Sequence, residues 1–193
     1  MLRTHDSDER LARRAAGGDR GAFDEIVRRH RDRVYAVGLR ICGSEADAED
    51  VLQETFLSAW RGLGGFGGRA QLSTWLYRIA TNRALDLVRG RRPQTPLEAV
   101  PEPAAAGDEV EDAATRRAVL SALARLPDEF RAAAVLGDVL GLTPTELADV
   151  LEVPVGTAKS RLFRARALLA RELSAGGREP RAPAGVQGGD GDA

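Results

Sequence analysis

The sequence predicts an all-α protein built as two small helical domains. Three observations carry that prediction. Apolar residues recur at three- and four-residue steps through both halves of the chain. No segment alternates apolar and polar residues as a strand would. A stretch rich in proline, alanine and acid separates the two periodic regions. The 193 residues are 43% hydrophobic and 30% charged, which suits a chain with real cores. Aromatics are only 5%, so small and aliphatic side chains must fill those cores.

In the first half, Phe23, Ile26, Val27, Val34, Val37, Gly38 and Ile41 share one face of an amphipathic helix. A second helix follows the Gly43-Ser44 break. Its apolar face holds Val51, Leu52, Thr55, Phe56, Ala59, Trp60 and Leu63, and Asp47, Asp50, Gln53 and Glu54 lie on another. The glycine-rich run GLGGFGG at 62–68 ends it. A third helix is expected from an N-cap at Ser73 until Pro93. In the second half, TRRAVLSALARL stops at Pro127, which opens a further helix through about Leu140. Thr143-Pro144-Thr145-Glu146 then reads as a capping box with proline at the first helical position. The short helix ELADVL, a break at Glu152-Val153-Pro154 and a long helix from Val155 have the spacing of a helix-turn-helix. Leu147, Ala148, Leu151, Val153, Leu162 and Leu169 would be its packing face. Glu152 stands where such turns often use glycine, because the backbone there can require a left-handed residue. The expected domains are residues 10–93 and 115–173, with a linker at 94–114 and a disordered tail at 174–193.

A formal net charge of -1 argues, at first sight, against a nucleic-acid partner. The distribution argues the reverse. Residues 61–93 carry seven arginines against the one acid Asp86, and residues 94–114 carry six acids and no base. Residues 155–171 hold Lys159, Arg161, Arg164, Arg166 and Arg171 with no acid. The last helix is thus a basic recognition helix suited to the major groove, or else a basic solvated helix of an ordinary bundle. In the third helix Trp75, Tyr77, Arg78, Asn82, Arg83 and Arg89 put aromatics beside arginines, a combination that suits unstacked bases and phosphates. For Trp75 and Tyr77 a place in the core is at least as good a reading.

The strings DAEDVLQETFLSAW, LSTWLYRIATNRALDLVRGRR and ARLPDEFRAAAVLGDVLGLTPTELADVLEVPVGTAKSRLFRARALL, in this order, resemble the extracytoplasmic-function (ECF) sigma factors of the bacterial sigma-70 family. The resemblance covers about residues 20–173. It implies a sigma-2 domain and a sigma-4 helix-turn-helix domain, with the linker between them. It also implies partners: RNA polymerase core, met at the β′ clamp and β flap, promoter DNA, and an anti-sigma factor that is commonly membrane-anchored. By position, polymerase contact falls on Asp50, Gln53 and Glu54. Contact with the −10 element falls on Phe66, Arg69, Gln71, Trp75, Arg78, Asn82 and Arg83. Contact with the −35 element falls on Thr157, Lys159, Ser160, Phe163, Arg164 and Arg166. Leu72, Gly137 and Ala158 depart from the family pattern, where an aromatic, a larger residue and a valine are usual.

Other classes fit less well. An autonomous helix-turn-helix regulator leaves the 47–60 helix and LSTWLYRIATNR without a role. An enzyme has little to work with: GLGGFGG lacks the lysine and Ser/Thr of a phosphate-binding loop. His30 is expected on a helix surface and Cys42 in the core. One cysteine excludes an internal disulfide framework, and neither a cofactor nor a metal site is expected. The segment MLRTHDSDERLARR lacks the apolar stretch of a signal peptide and no apolar run reaches bilayer length, so a cytoplasmic protein without membrane insertion is expected.

Overall fold

The computed structural model describes residues 6–68, 70–90 and 108–176. Among them every regular element is helical: α1 (Asp8–Ala16), α2 (Arg20–Cys42), α3 (Glu45–Gly62), a 3₁₀ turn (Leu63–Gly65), α4 (Leu72–Gly90), α5 (Asp108–Ala124), α6 (Asp128–Ala134), a π-helical turn (Val135–Val139), α7 (Pro144–Leu151) and α8 (Val155–Gly176).

Helices α2, α3 and α4 pack on one another, and α1 lies along α2. Ile26, Val34, Val37, Ile41, Val51, Leu72 and Leu76 are buried between them, the faces set by helical spacing. Local chemistry fixes the ends. The Asp19 side chain accepts from the Ala22 N–H at 3.0 Å and opens α2. Gly43 closes α2 at φ 74°, its N–H donating to the Leu39 carbonyl. Gly38 allows the close crossing of α2 and α3, since a Cβ there would lie 3.0 Å from the Ala48 Cα and 3.1 Å from the Val51 Cβ. Cys42 is buried, as expected.

Helix α1 is an element the periodicity did not mark. Only Leu11, Ala12 and Ala15 bury against the bundle, too short a run to stand out. Polar contacts hold it in place: Ser7 caps it, and Arg14 bonds both Asp6 (2.6 Å) and Asp19 (2.7 Å). His30, expected at the surface, is 6% exposed, with Nε2 2.8 Å from Asp8 Oδ2. Helix α1 covers it, which a reading of α2 alone could not foresee.

The second group, α5 to α8, packs around Leu123, Leu126, Ala132, Val135, Leu136, Leu147, Val150, Ala158 and Ala165. The helix opened by Pro127 runs through the π-helical turn to Val139. Gly137 has a packing reason: Leu162 of α8 lies over it, 2.8 Å from where a Cβ would stand. The capping box at α7 is complete. Thr143 Oγ1 accepts from the Glu146 N–H at 3.3 Å, and Glu146 Oε2 accepts from the Thr143 N–H at 2.8 Å. The bonds from the Thr143 hydroxyl and N–H hold the Glu146 carboxyl below its ordinary range. Glu152 ends α7 in the left-handed region, φ 54° and ψ 45°.

Three boundaries differ from the sequence reading. Helix α4 starts at Leu72, with the Trp75 N–H bonding the Gln71 carbonyl at 3.1 Å, so Ser73 sits inside the first turn and is not the cap. Burial of Leu72, 2% exposed, draws it into the helix. Helix α5 begins at Asp108, inside the expected 94–114 linker. Helix α8 extends to Gly176, into the expected tail. The remaining linker positions 94–107 and tail positions 177–193 lie outside the described residues, as do Arg91 and Arg92.

Candidate functional site

Three exposed faces carry the candidate chemistry. The first lies on α3. Asp50, Gln53 and Glu54 are all exposed and fall on one side of the helix. Beside them runs a shallow groove of about 380 Å³ between α2 and α3. Its walls are Phe23 and Val27 from α2 and Leu52, Phe56, Leu57 and Trp60 from α3, with Glu49 and Gln53 at the rim. Leu57 and Trp60 are 40% and 37% exposed, large areas for apolar side chains with no cover. Phe23 props the Trp60 ring edge-on, centroids 4.9 Å apart. An apolar groove edged by carboxylates suits a helical partner with apolar knobs and basic flanks.

The second face lies on α4 and the loop before it. Trp75, Arg78 and Asn82 are spaced to share one side, Asn82 and Arg83 are exposed, and Arg78 is half-buried. Gln71 is exposed at the start of the helix. Phe66 packs on Trp75 with centroids 4.9 Å apart at 42°, so both rings are partly buried and partly presented. Phe66 also lines a cavity of about 440 Å³, together with Gly67, Gly68 and the α1 residues Glu9 and Arg13. Tyr77 belongs to the core, 3% exposed. Arg69 lies outside the described residues.

The third face is the outer side of α8. Lys159, Ser160, Phe163, Arg164 and Arg166 are exposed, Phe163 to 74%, while Ala158 and Ala165 behind them are fully buried. Thr157 is half-buried and its carbonyl accepts from the Ser160 hydroxyl at 3.0 Å. The basic residues are not equivalent. Arg166 is held bidentate by Asp138, Nη2 donating to Oδ1 at 2.6 Å and Nε to Oδ2 at 3.2 Å, which raises its already high pKa. Arg161 pairs with Glu129 at 3.0 Å. Lys159 and Arg164 have no ion pair with another described residue, so their charge is open to a ligand.

Residues 26–94 match the Sigma-70 region 2 family and residues 116–169 match Sigma-70, region 4. Over 169 residues the chain is 43% identical to the ECF RNA polymerase sigma factor SigM of Mycobacterium tuberculosis, spanning 86% of this chain and 85% of that one. The chain is an ECF sigma factor of the sigma-70 family. The RNA polymerase sigma-H factor of Pseudomonas aeruginosa is 35% identical over 189 residues, covering 88% and 95% of the two chains. Among solved structures, CnrH in complex with the cytosolic domain of CnrY aligns with a TM-score of 0.71 at 32% identity, over 88% of this sigma factor and 99% of that chain. The sigma factor RpoE of Bartonella quintana, solved with the anti-sigma factor NepR, shares the fold at a TM-score of 0.65 and 23% identity, over 79% of this sigma factor and 96% of that chain.

The two matched regions fall on the two helical groups: region 2 on α2 to α4, region 4 on α5 to α8. Sequence reasoning missed the apolar half of the α3 face. Leu52, Phe56 and Trp60 have the spacing of the core face, and spacing cannot say which apolar residues stay uncovered. Glu9 and Arg13 were missed because α1 itself was. No helix among the described residues is long and apolar enough to cross a membrane.

Proposed function

We propose that this sigma factor divides its work among the three faces. The α2/α3 groove with Asp50, Gln53 and Glu54 docks on the polymerase core at the β′ clamp, while the sigma-4 domain meets the β flap. Trp75, Arg78, Asn82 and Arg83 of α4, with Phe66, Arg69 and Gln71 of the preceding loop, hold the −10 element and capture a base once it leaves the stack. Unstacking costs a few kcal/mol, offset by the pocket and by phosphate contacts. Lys159, Ser160, Phe163 and Arg164 of α8 read the −35 element, with Thr157 at the helix start. Arg166, braced by Asp138, contributes positive field and holds α8 on the π-helical turn. In this reading the polymerase makes the phosphodiester bonds and the sigma factor performs no covalent chemistry, acting wherever the polymerase acts. The domains are residues 10–93 and 115–173, the second extended by the start of α5.

The observation that carries the reading is the adjacency of an uncovered, acid-rimmed apolar groove to a basic, aromatic helix in the same domain. A DNA-binding regulator has no use for the first. An anti-sigma factor is proposed as a further partner; the similarity to CnrH, solved with the cytosolic domain of CnrY, supports a protein ligand of that kind. Two substitutions test the groove. Leu57→Asp and Glu54→Lys are expected to weaken retention of purified core polymerase on immobilised full chain by tenfold or more, about 1.4 kcal/mol, while leaving the circular dichroism unchanged. Wild-type retention by both variants contradicts the assignment.

A further inference from the structure

The cations on the exposed side of α8 differ in what holds them. Lys159, Phe163 and Arg166 follow one another at steps of four and three, so they form one stripe along the helix. Lys159 has no ion pair with another described residue and swings on a flexible stem. Arg166 is fixed. Its side chain is 61% exposed, yet Asp138 holds it fork to fork, through Nη2 and Nε. Asp138 stands 28 residues earlier, on the π-helical turn, a widening that helices carry frequently at functional positions. Apolar contact seats that turn. Val135 and Leu136 are fully buried, and Leu162 of α8 lies over Gly137, 2.8 Å from where a Cβ would stand. Leu162 is one helical turn before Arg166. The close approach at Gly137 therefore brings the Asp138 carboxylate under the arginine.

The pairing does two things to Arg166. It uses the Nε–H and one Nη2–H, and leaves both N–H groups of Nη1 and the second of Nη2 as an outward edge of fixed direction. It also sets a carboxylate oxygen 2.6 Å from the guanidinium, which partly offsets the field that the arginine contributes. A mobile, unpaired cation follows a phosphate wherever it lies. A braced one accepts a phosphate only where the register of the duplex brings it to that edge. Arg166 is the twelfth residue of α8, and recognition helices read base edges with their first residues. Its place is therefore at the flanking backbone. Resting on the assignment of α8 to the −35 element, we propose that Asp138 is a positioning residue for promoter recognition. It turns Arg166 from a general attractor of DNA into a fixed clamp for one backbone phosphate, and so sets how sharply α8 separates its element from random sequence.

Binding of the full chain to a short fluorescein-labelled duplex of random sequence, followed by anisotropy over a series of KCl concentrations, tests the clamp. Each phosphate met by a freed cation steepens the fall of log affinity with log salt by about 0.9. Asp138→Asn is expected to bind this duplex about threefold more tightly than wild type and to steepen the slope by about 0.5 to 0.9. Asp32→Asn makes the same charge change on α2, where the carboxylate is 96% exposed, and is expected to bind as wild type. Adding Arg166→Gln to Asp138→Asn is expected to return the slope to the wild-type value, a compensation that damage to the turn would not produce. Discrimination has its own readout, run-off transcription with purified core polymerase over a promoter library. Asp138→Asn is expected to lower enrichment at −35 positions about threefold or more, with −10 enrichment unchanged. A random-duplex slope equal to wild type in Asp138→Asn, weaker binding by that variant, or unchanged −35 enrichment overturns the clamp. Lys159→Gln checks the assignment beneath it and is expected to flatten the slope by about 0.9. A slope that Lys159→Gln leaves unchanged overturns the placing of DNA on α8 itself, a failure distinct from that of Asp138 alone.

Discussion

At Gly38 a single missing methyl decides how close two helices come. The Ala48 Cα lies 3.0 Å from where a Cβ would stand, so the obstacle is backbone and cannot rotate away. Gly38→Ala is therefore expected to cost about 1–3 kcal/mol by overpacking, read as a lower midpoint in urea unfolding. Gly137 differs, because what lies over it is the flexible end of Leu162. Among the basic residues of α8, Arg164 is the clearest test of base reading, since it is exposed and Arg166 is engaged by Asp138. Arg164→Ala is expected to cost about 1–3 kcal/mol at one position of the −35 element, measured by footprinting on promoter variants. A uniform loss over all sequences would make it a phosphate contact instead. Residue types legible in the sequence were those whose partners are near in the chain. Thr143, Glu146 and the left-handed Glu152 announce themselves within a few residues. Arg131 does not, because its distinctive acceptor is a carbonyl ninety positions away.

Elements inherit their ends from short-range polar contacts, and those contacts titrate. Glu25 on α2 is held down to about 2 from 4.5, first by its bond to Arg28 and then by its bond to Arg29. Asp19 at the α2 N-cap is lowered by the Ala22 N–H and Arg14, and Glu146 by Thr143. A carboxyl whose folded pKa lies below its unfolded value adds stability that is complete above the unfolded value. That stability is lost as pH falls through the folded one. The thermal midpoint is thus expected to fall between pH 4.5 and pH 2, and the fall to be shallower in Glu25→Gln. Identical slopes for the two proteins contradict a role for that carboxylate. Helical periodicity placed α2, α3 and the helix-turn-helix well, since each buries a long face. It failed where burial was slight, as in α1, and where one buried side chain, Leu72, moved a boundary past the better capping residue Ser73.

For the whole molecule, a net charge of -1 conceals a basic α4, a basic α8 and acids gathered on α3 and over residues 94–114. In the proposed function such a distribution separates surfaces for DNA from a surface for protein, and it was legible from the sequence because charge needs no fold to be counted. The apolar groove beside the α3 acids was not, since it depends on how helices from distant segments meet. A sigma factor joins two weak DNA modules through a common platform, gaining effective concentration only when the polymerase holds both. Run-off transcription with purified core polymerase over a promoter library tests that claim most directly. The full chain is expected to give discrete transcripts from templates sharing a −35 and a −10 element. Those transcripts should be lost without the chain and reduced tenfold or more, about 1.4 kcal/mol, by Glu54→Lys. Transcripts that do not depend on the chain, or sequence-specific DNA binding of the same strength with and without core, would contradict it.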